Sequence, residues 1–124
     1  MQLFKNKLFS KWAEKEGLSD HALWVAVDEM ERGLIDAELG GHIVKKRVAI
    51  GSRGKSGGVR TLLAYKVADK AVFIYGFAKN ARANVSSDEL KALKHLAKEL
   101  LSYSDKTIKN TLKSGVLIEV ENNG

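Results

Sequence analysis

The residues in this sequence that are best able to do chemistry are cations. Between His42 and Arg82 there are ten basic residues and one acid, Asp69, for a net charge of +9, whereas eleven basic and fourteen acidic residues elsewhere give −3. Arginine and lysine stabilise the negative charge that develops on a phosphate under nucleophilic attack. RNA supplies its own nucleophile, the 2′-hydroxyl, and a lysine crowded by other cations can take its proton. The same side chains could instead bind a phosphate backbone without cutting it.

The sequence contains few of the residues that other kinds of active site require. The chain has no Cys and only three scattered His, and most of its acids lie outside the basic segment. A thiol nucleophile and cysteine-containing zinc sites are therefore excluded, and metal-dependent or paired-carboxylate hydrolysis is poorly supported. We expect no cofactor and no metal. Residues 49–56 approach a nucleotide-binding loop, but a β-like run follows them instead of a helix, so ATP or GTP binding is not expected.

The basic residues fall on predicted strands and the loops beside them. Arg60 lies on the second of three neighbouring strands, and Lys79 and Arg82 follow the third. Five more lie on the first strand or in the glycine-rich loop 51–58: Lys45, Lys46, Arg47, Arg53 and Lys55. The exposed amides of such a loop suit a phosphodiester backbone. Antiparallel pairing could bring these cations onto one face of a sheet.

Hydrophobic periodicity predicts the elements that position them. Apolar residues at helical spacing predict helices over 4–16 and 20–32 and a third helix that starts near Ser87, and a short fourth helix is expected over 105–113. Aliphatic and β-branched runs predict strands over 43–50, 59–67, 70–77 and 116–120. The order ααβββα(α)β indicates an α+β fold, with helices packed on a small antiparallel-rich sheet.

Two local patterns refine this picture. Ser86 with Glu89 three residues later predicts a capping box at the start of the third helix. In the strand 70–77, strict alternation predicts one face with Phe73, Tyr75 and Phe77 and another with Val72 and Ile74. Because both faces are apolar, this strand is expected to lie centrally in its sheet.

Length and composition favour one folded domain over residues 1–124. A chain of 124 residues with 44% hydrophobic residues can bury one core. No apolar run of signal-peptide length follows Lys5 and Lys7, and no stretch of 18 apolar residues occurs. We therefore expect a soluble cytoplasmic protein with no membrane partner. Its basic excess predicts a polyanionic partner.

Two sequence runs resemble a known family. The runs GKSGGVRTLLAY at 54–65 and YGFAKNARAN at 75–84 are similar to those of RelE/HigB-like toxins of bacterial and phage type II toxin–antitoxin modules. The resemblance implies a single RelE-like domain with a microbial-ribonuclease-like fold and helices on one side of the sheet. It implies metal-independent mRNA cleavage, typically in the ribosomal A site, giving a 2′,3′-cyclic phosphate and a 5′-hydroxyl. It also implies a cognate antitoxin, often a helix-turn-helix protein, through which operator DNA is bound.

The resemblance also suggests roles for individual residues. Arg60 matches the arginine that clamps the phosphate in the transition state, Arg82 matches a second basic position, and Lys79 is a neighbouring clamp or base. Lys46, Arg53 and Lys55 match a basic hairpin that holds the RNA backbone. Some relatives carry a C-terminal Tyr, Glu or His for proton transfer. Here the last strand is followed only by ENNG, so either Lys79 takes that role, or Tyr75 or Glu119 contributes to it, or this copy is a weak enzyme.

Two other functions are compatible with this pattern. A toxin of the same fold could act by binding, as the gyrase-inhibiting ParE relatives do. A basic domain could also bind nucleic acid without catalysis, which predicts salt-dependent binding and no product.

Overall fold

The structure is a computed structural model, and it describes residues 1–50 and 58–122. In those residues the elements are β1 (Gln2–Asn6), α1 (Lys7–Glu16), α2 (Asp20–Glu31), β2 (Ala37–Gly40), β3 (Ile43–Val48), β4 (Val59–Lys66), β5 (Lys70–Ala78), α3 (Ser87–Leu101), α4 (Asp105–Ser114) and β6 (Leu117–Glu119). The strands form one sheet in the order β2-β3-β4-β5-β1-β6. Every neighbouring pair is antiparallel except β1 and β5, which confirms the predicted α+β class with an antiparallel-rich sheet.

Two of these strands were not predicted from the sequence. β2 is a short edge strand, and β1 occupies the start of the segment predicted as a helix over 4–16. Leu3 and Phe4 are both buried, on opposite faces of the sheet, as consecutive strand residues are. The helix begins only at Lys7, because the side chain of Asn6 accepts a hydrogen bond from the Phe9 N–H and caps it.

Helices cover both faces of the sheet, not one side as the resemblance implied. On one face, which we call the α1/α2 face, Phe9 and Leu23 pack with Leu63 in one buried cluster. On the other, the α3/α4 face, Ala97 and Ile108 belong to a second buried cluster with sheet residues. α3 packs mainly on β4, and α4 on β6. The described residues contain no helix that is both long and apolar enough to cross a membrane.

An irregularity in β5 changes which side chains share a face. Leu62 pairs with Tyr75 whereas Leu63 pairs with Phe73, so Ile74 is an extra residue and β5 is bulged there. Phe73 packs against Phe9 on the α1/α2 face, with ring centroids 5.1 Å apart. Tyr75, beyond the bulge, packs on the α3/α4 face. The prediction that Phe73 shares a face with Tyr75 and Phe77 was therefore wrong, because period-two alternation does not continue across a bulge.

Gly76 leaves room for a tryptophan. A Cβ atom at this position would lie 2.1 Å from Cζ3 of Trp12, whose ring also packs against Phe9. We expect Gly76→Ala to lower the free energy of unfolding by about 1–3 kcal/mol, because the ring must shift within a packed core. Urea unfolding would measure the change. If the clash is the cause, Gly76→Ala combined with Trp12→Ala costs less than the sum of the two single changes; an additive double variant would contradict it.

The C-terminal elements agree with the sequence prediction. Ser86 and Glu89 form both hydrogen bonds of the predicted capping box at the start of α3. α4 ends at Ser114 and is capped by Gly115, which adopts a left-handed conformation, and β6 begins two residues later at Leu117. The capping box fixes the residue at which α3 begins, and with it the position of Glu89.

Candidate nucleic-acid interface

Two arginines face each other at one end of the sheet. Arg47 on β3 is directly opposite Arg60 on β4, and Arg60 is in turn opposite Phe77 on β5. Directly opposite residues project from the same face, here the α3/α4 face, and Lys45 lies two residues before Arg47 on that face. Like charges in such a cross-strand pair repel and destabilise the sheet. A bound anion would remove that repulsion.

The two arginines differ in their counter-charges. Arg47 contacts Asp36, with 2.9 Å between Nε and Oδ1, and its backbone N–H donates to Oδ2 at 2.6 Å. Burial raises the pKa of Asp36, but these hydrogen bonds outweigh it and hold the pKa below its ordinary value. Arg60 has no such partner: its Nη1 is buried and makes no hydrogen bond to any described residue. An unsatisfied buried cationic donor is costly, and a phosphate oxygen would satisfy it.

A second cluster joins the segment after β5 to the start of α3. The Arg82 guanidinium donates to both carboxylate oxygens of Glu89, with 3.0 Å between Nη1 and Oε2, and Nη1 also donates to the Tyr75 hydroxyl at 3.2 Å. Its Nε donates to the carbonyl of Asn84 at 2.9 Å. The hydrogen bond from Arg82, with a further one from the Ser86 N–H, holds the pKa of Glu89 at about 2. The Glu89 carboxylate in turn raises the pKa of Arg82.

The depressed pKa of Glu89 makes the stability of this cluster depend on pH. Glu89 titrates at about 2 when folded, against an ordinary value of 4.5, so its contribution is complete above pH 5 and is lost as the pH falls from 4.5 towards 2. We expect the difference in Tm between wild type and Glu89→Gln to shrink over that range. Asp88→Asn, one residue earlier and exposed, is the matched control. A difference that stays constant from pH 7 to pH 2 would contradict this assignment.

Comparison with known families decides what kind of protein carries this site. The model of one family, described as the RelE toxin of the RelE/RelB toxin–antitoxin system, matches residues 1–120. This chain belongs to the RelE toxin family. Among curated proteins, no significant match is found. The RelE-family chain is thus a toxin of a toxin–antitoxin system, and the family implies an antitoxin as its partner.

One predicted RNA-binding residue of this RelE-family toxin lies away from the others. Lys46 is only 3% exposed, and its Nζ is 3.0 Å from Glu29 Oε1 on α2 and 2.8 Å from the Leu34 carbonyl. It projects from the α1/α2 face, because neighbouring residues of a strand point to opposite faces. Lys45 and Arg47, on either side of it, project towards the α3/α4 face. Lys46 therefore holds β3 to α2, and we do not assign it a role in RNA binding.

The remaining predicted residues of the RelE-family toxin are distributed unevenly. Tyr75 is the diagonal cross-strand neighbour of Arg60, within reach of a long side chain, and Lys79 is exposed just beyond β5. Glu119 lies on β6, three strands from β4, or about 14 Å across the sheet. This distance separates Glu119 from Arg60. Arg53 and Lys55 fall outside the described residues.

Two acids of this toxin's site were missed by sequence reasoning. Asp36 lies just before β2, a strand that was not predicted, and its contact with Arg47 follows from the pairing of β2 with β3. Glu89 was predicted as part of a capping box, and that local role gave no signal of its second contact with Arg82. Among the described residues, no three His, Asp or Glu side chains are grouped to hold a metal ion.

Proposed function

We propose that this RelE-family toxin is a metal-independent endoribonuclease that cleaves mRNA on the ribosome. The observation that carries the proposal is Arg60, whose buried Nη1 has no hydrogen-bond partner among the described residues and which lies opposite a second arginine on the sheet. Strand alternation places both side chains on one face, and because Arg47 is paired with Asp36, Arg60 is the group left to bind a phosphate oxygen. Family membership supports the toxin role, and the cleavage chemistry is our inference from this face.

The proposed reaction uses the nucleophile that RNA carries. The 2′-oxygen attacks the adjacent phosphorus, its proton leaves to a base, and the phosphate oxygens gain negative charge. Arg60 donates to one of those oxygens and so stabilises the transition state more than the substrate. The bond from phosphorus to the 5′-oxygen then breaks, and that oxygen takes a proton. The products are a 2′,3′-cyclic phosphate and a 5′-hydroxyl.

The proton-transfer groups in this proposal are those at the same end of the sheet as Arg60. Lys79 is exposed beyond β5, and the hydroxyl of half-buried Tyr75 is held by Arg82. The guanidinium of Arg82 already donates hydrogen bonds to Glu89, Tyr75 and Asn84. We therefore assign Arg82 the role of positioning Tyr75 and the segment that contains Lys79. This differs from the role of phosphate clamp that the resemblance implied for Arg82. Arg60 is left as the main clamp.

Expression in cells and in a translating extract tests the proposed function. We expect growth arrest and mRNA cut within codons, with ends that carry a cyclic phosphate. Naked mRNA, incubated with the same protein, shows whether the ribosome is required. Intact mRNA with accumulating DNA breaks would overturn the proposal in favour of gyrase inhibition. Salt-dependent RNA binding with no product would overturn it in favour of a binding module.

A further inference from the structure

A line of lysines runs along one side of α3, with Lys91 and Lys98 exposed and Lys94 half-buried. Lys91, Lys94 and Lys98, which we call the α3 lysine stripe, are three and four residues apart, so they rise by about 4.5 and 6 Å along the axis and lie within about 60° around it. The helical acids Asp88 and Glu99 project on the other side of the exposed surface, about 60–80° beyond Lys91. The stripe is therefore one unbroken line of positive charge.

Contacts at the start of α3 and at its middle fix the course of the stripe. The first turn of α3 is tied to the sheet end through Glu89, which binds Arg82 and the Tyr75 hydroxyl. In the middle, the stem of Lys94 packs over the turn between β2 and β3, where a Cβ atom at Gly41 would lie 2.7 Å from its Cγ. The stripe thus begins beside the candidate site and follows the side of α3 that faces β3.

Further basic residues extend the stripe at its far end. Lys98 lines a shallow cavity of about 210 Å³ together with His42 and Lys66. Lys66 is the last residue of β4 and shares the α3/α4 face with Arg60, since the two are six residues apart on a strand. Its ion pair with Asp69, at 3.4 Å, is exposed and offers little competition to a bound anion. Basic side chains thus occur from Arg60 to the opposite end of this face.

The chemistry of this surface favours a nucleic-acid backbone over a protein. Protein interfaces have apolar cores and are depleted in lysine. The large apolar side chains that are exposed in the described residues are on other elements: Leu8, Val25, Leu34, Val67 and Val116. Lysines spaced along a line suit repeated phosphates and need no base contacts.

We infer that the α3 lysine stripe binds the phosphate backbone of the RNA strand that flanks the scissile bond, so that the toxin holds several nucleotides beyond those at Arg60. This deepens the proposed function, since it names a second part of the same substrate. Binding there is independent of sequence, because only phosphates are contacted.

Binding of 2′-O-methyl oligonucleotides tests this inference, because they lack the nucleophile and cannot be cut. The variant carries Lys91→Gln, Lys94→Gln and Lys98→Gln. The matched control carries Lys106→Gln, Lys109→Gln and Lys113→Gln on α4, which remove the same charge from an exposed helix. For a 20-nucleotide strand we expect the slope of log K against log[salt] to fall by about 2 in the α3 variant and to stay unchanged in the α4 control. A four-nucleotide strand centred on Arg60 should bind all three proteins alike.

Each other outcome overturns the inference. An equal loss in both variants would show that only net charge matters, and unchanged binding in the α3 variant would show that RNA avoids the stripe. Loss of antitoxin binding with unchanged RNA binding would assign the stripe to the protein partner. Cleavage of ordinary RNA by the wild-type toxin is measured in parallel, so that failure of the proposed function is seen separately. Thermal unfolding confirms that both variants are folded.

Discussion

Replacement of Arg60 by Ala is expected to abolish growth arrest and to lower the rate of RNA cleavage by a factor on the order of 10²–10³, the loss typical of removing one preorganised donor to a developing oxyanion. The reason is geometric. Nη1 of Arg60 is buried without a hydrogen-bond partner among the described residues, and in the proposed reaction a phosphate oxygen supplies that partner. Single-turnover cleavage in a translating extract measures the chemical step directly.

The controls for Arg60 separate charge from geometry and from folding. Arg60→Lys keeps the charge but loses the planar fork, so we expect partial activity. Arg32→Ala makes the same substitution at the end of α2, where the side chain is 64% exposed and contacts Asp28 one turn earlier, and it should leave cleavage unchanged. A folded Arg60→Ala protein that still arrests growth and leaves mRNA intact would contradict the ribonuclease assignment.

Lys46→Met is expected to lower the free energy of unfolding by about 3 kcal/mol, the cost typical of removing one partner from a buried ion pair. Lys46 is almost completely buried, and without its ammonium group the carboxylate of Glu29 loses an ion pair at 3.0 Å and the Leu34 carbonyl loses a donor. Lys45→Met, at the adjacent but half-buried position, should change this free energy by less than about 1 kcal/mol. Urea unfolding of the two variants gives the comparison.

The same pair of variants separates a core role from a binding role. At a temperature where both proteins are folded, Lys45→Met should weaken binding of an RNA strand, whereas Lys46→Met should not. Two neighbouring lysines with opposite effects on stability and binding would follow from the alternation of side chains along β3. Equal losses of RNA binding, with equal stability, would show that Lys46 belongs to the binding surface.

Signals confined to a few residues predicted much of this fold. The Ser86–Glu89 capping box gave the start of α3, because a cap depends on local backbone geometry. The strands β3, β4 and β5 and their antiparallel pairing followed from aliphatic runs joined by short connections. These elements include most of the residues from which the candidate site is built.

Elements that depend on contacts between distant parts of the chain, such as β1, could not be predicted from local patterns. Phe4, Leu8 and Trp12 have helical spacing, yet Leu8 is 77% exposed and Phe4 belongs to a strand whose pairing partners are about 70 and 115 residues away in the chain. A local signal for the true boundary did exist, since Asn6 is a favourable N-cap. Spacing alone favoured the longer helix.

The sequence predicted the location of the basic residues of the site, but not their orientation or their ion pairs. The charge distribution located the cations, but a run of three basic residues does not reveal which of them points into the core. The neutralisation of Arg82 by Glu89 and of Arg47 by Asp36 arises from tertiary packing. Because of these partners, the structure narrows a broad cluster of cations to Arg60.

The extra residue at Ile74 divides β5 into two parts that serve different purposes. Before it, the odd-numbered side chains contribute to the core beneath α1 and α2; after it, the odd-numbered side chains Tyr75 and Phe77 face the arginines. A single residue thus sets the phase of everything downstream in that strand. Regular alternation through Ile74, without the bulge, would turn the bare backbone of Gly76 towards Arg60 and direct the rings of Tyr75 and Phe77 at Trp12. The chemistry of this face thus depends on an irregularity of the backbone as well as on residue type.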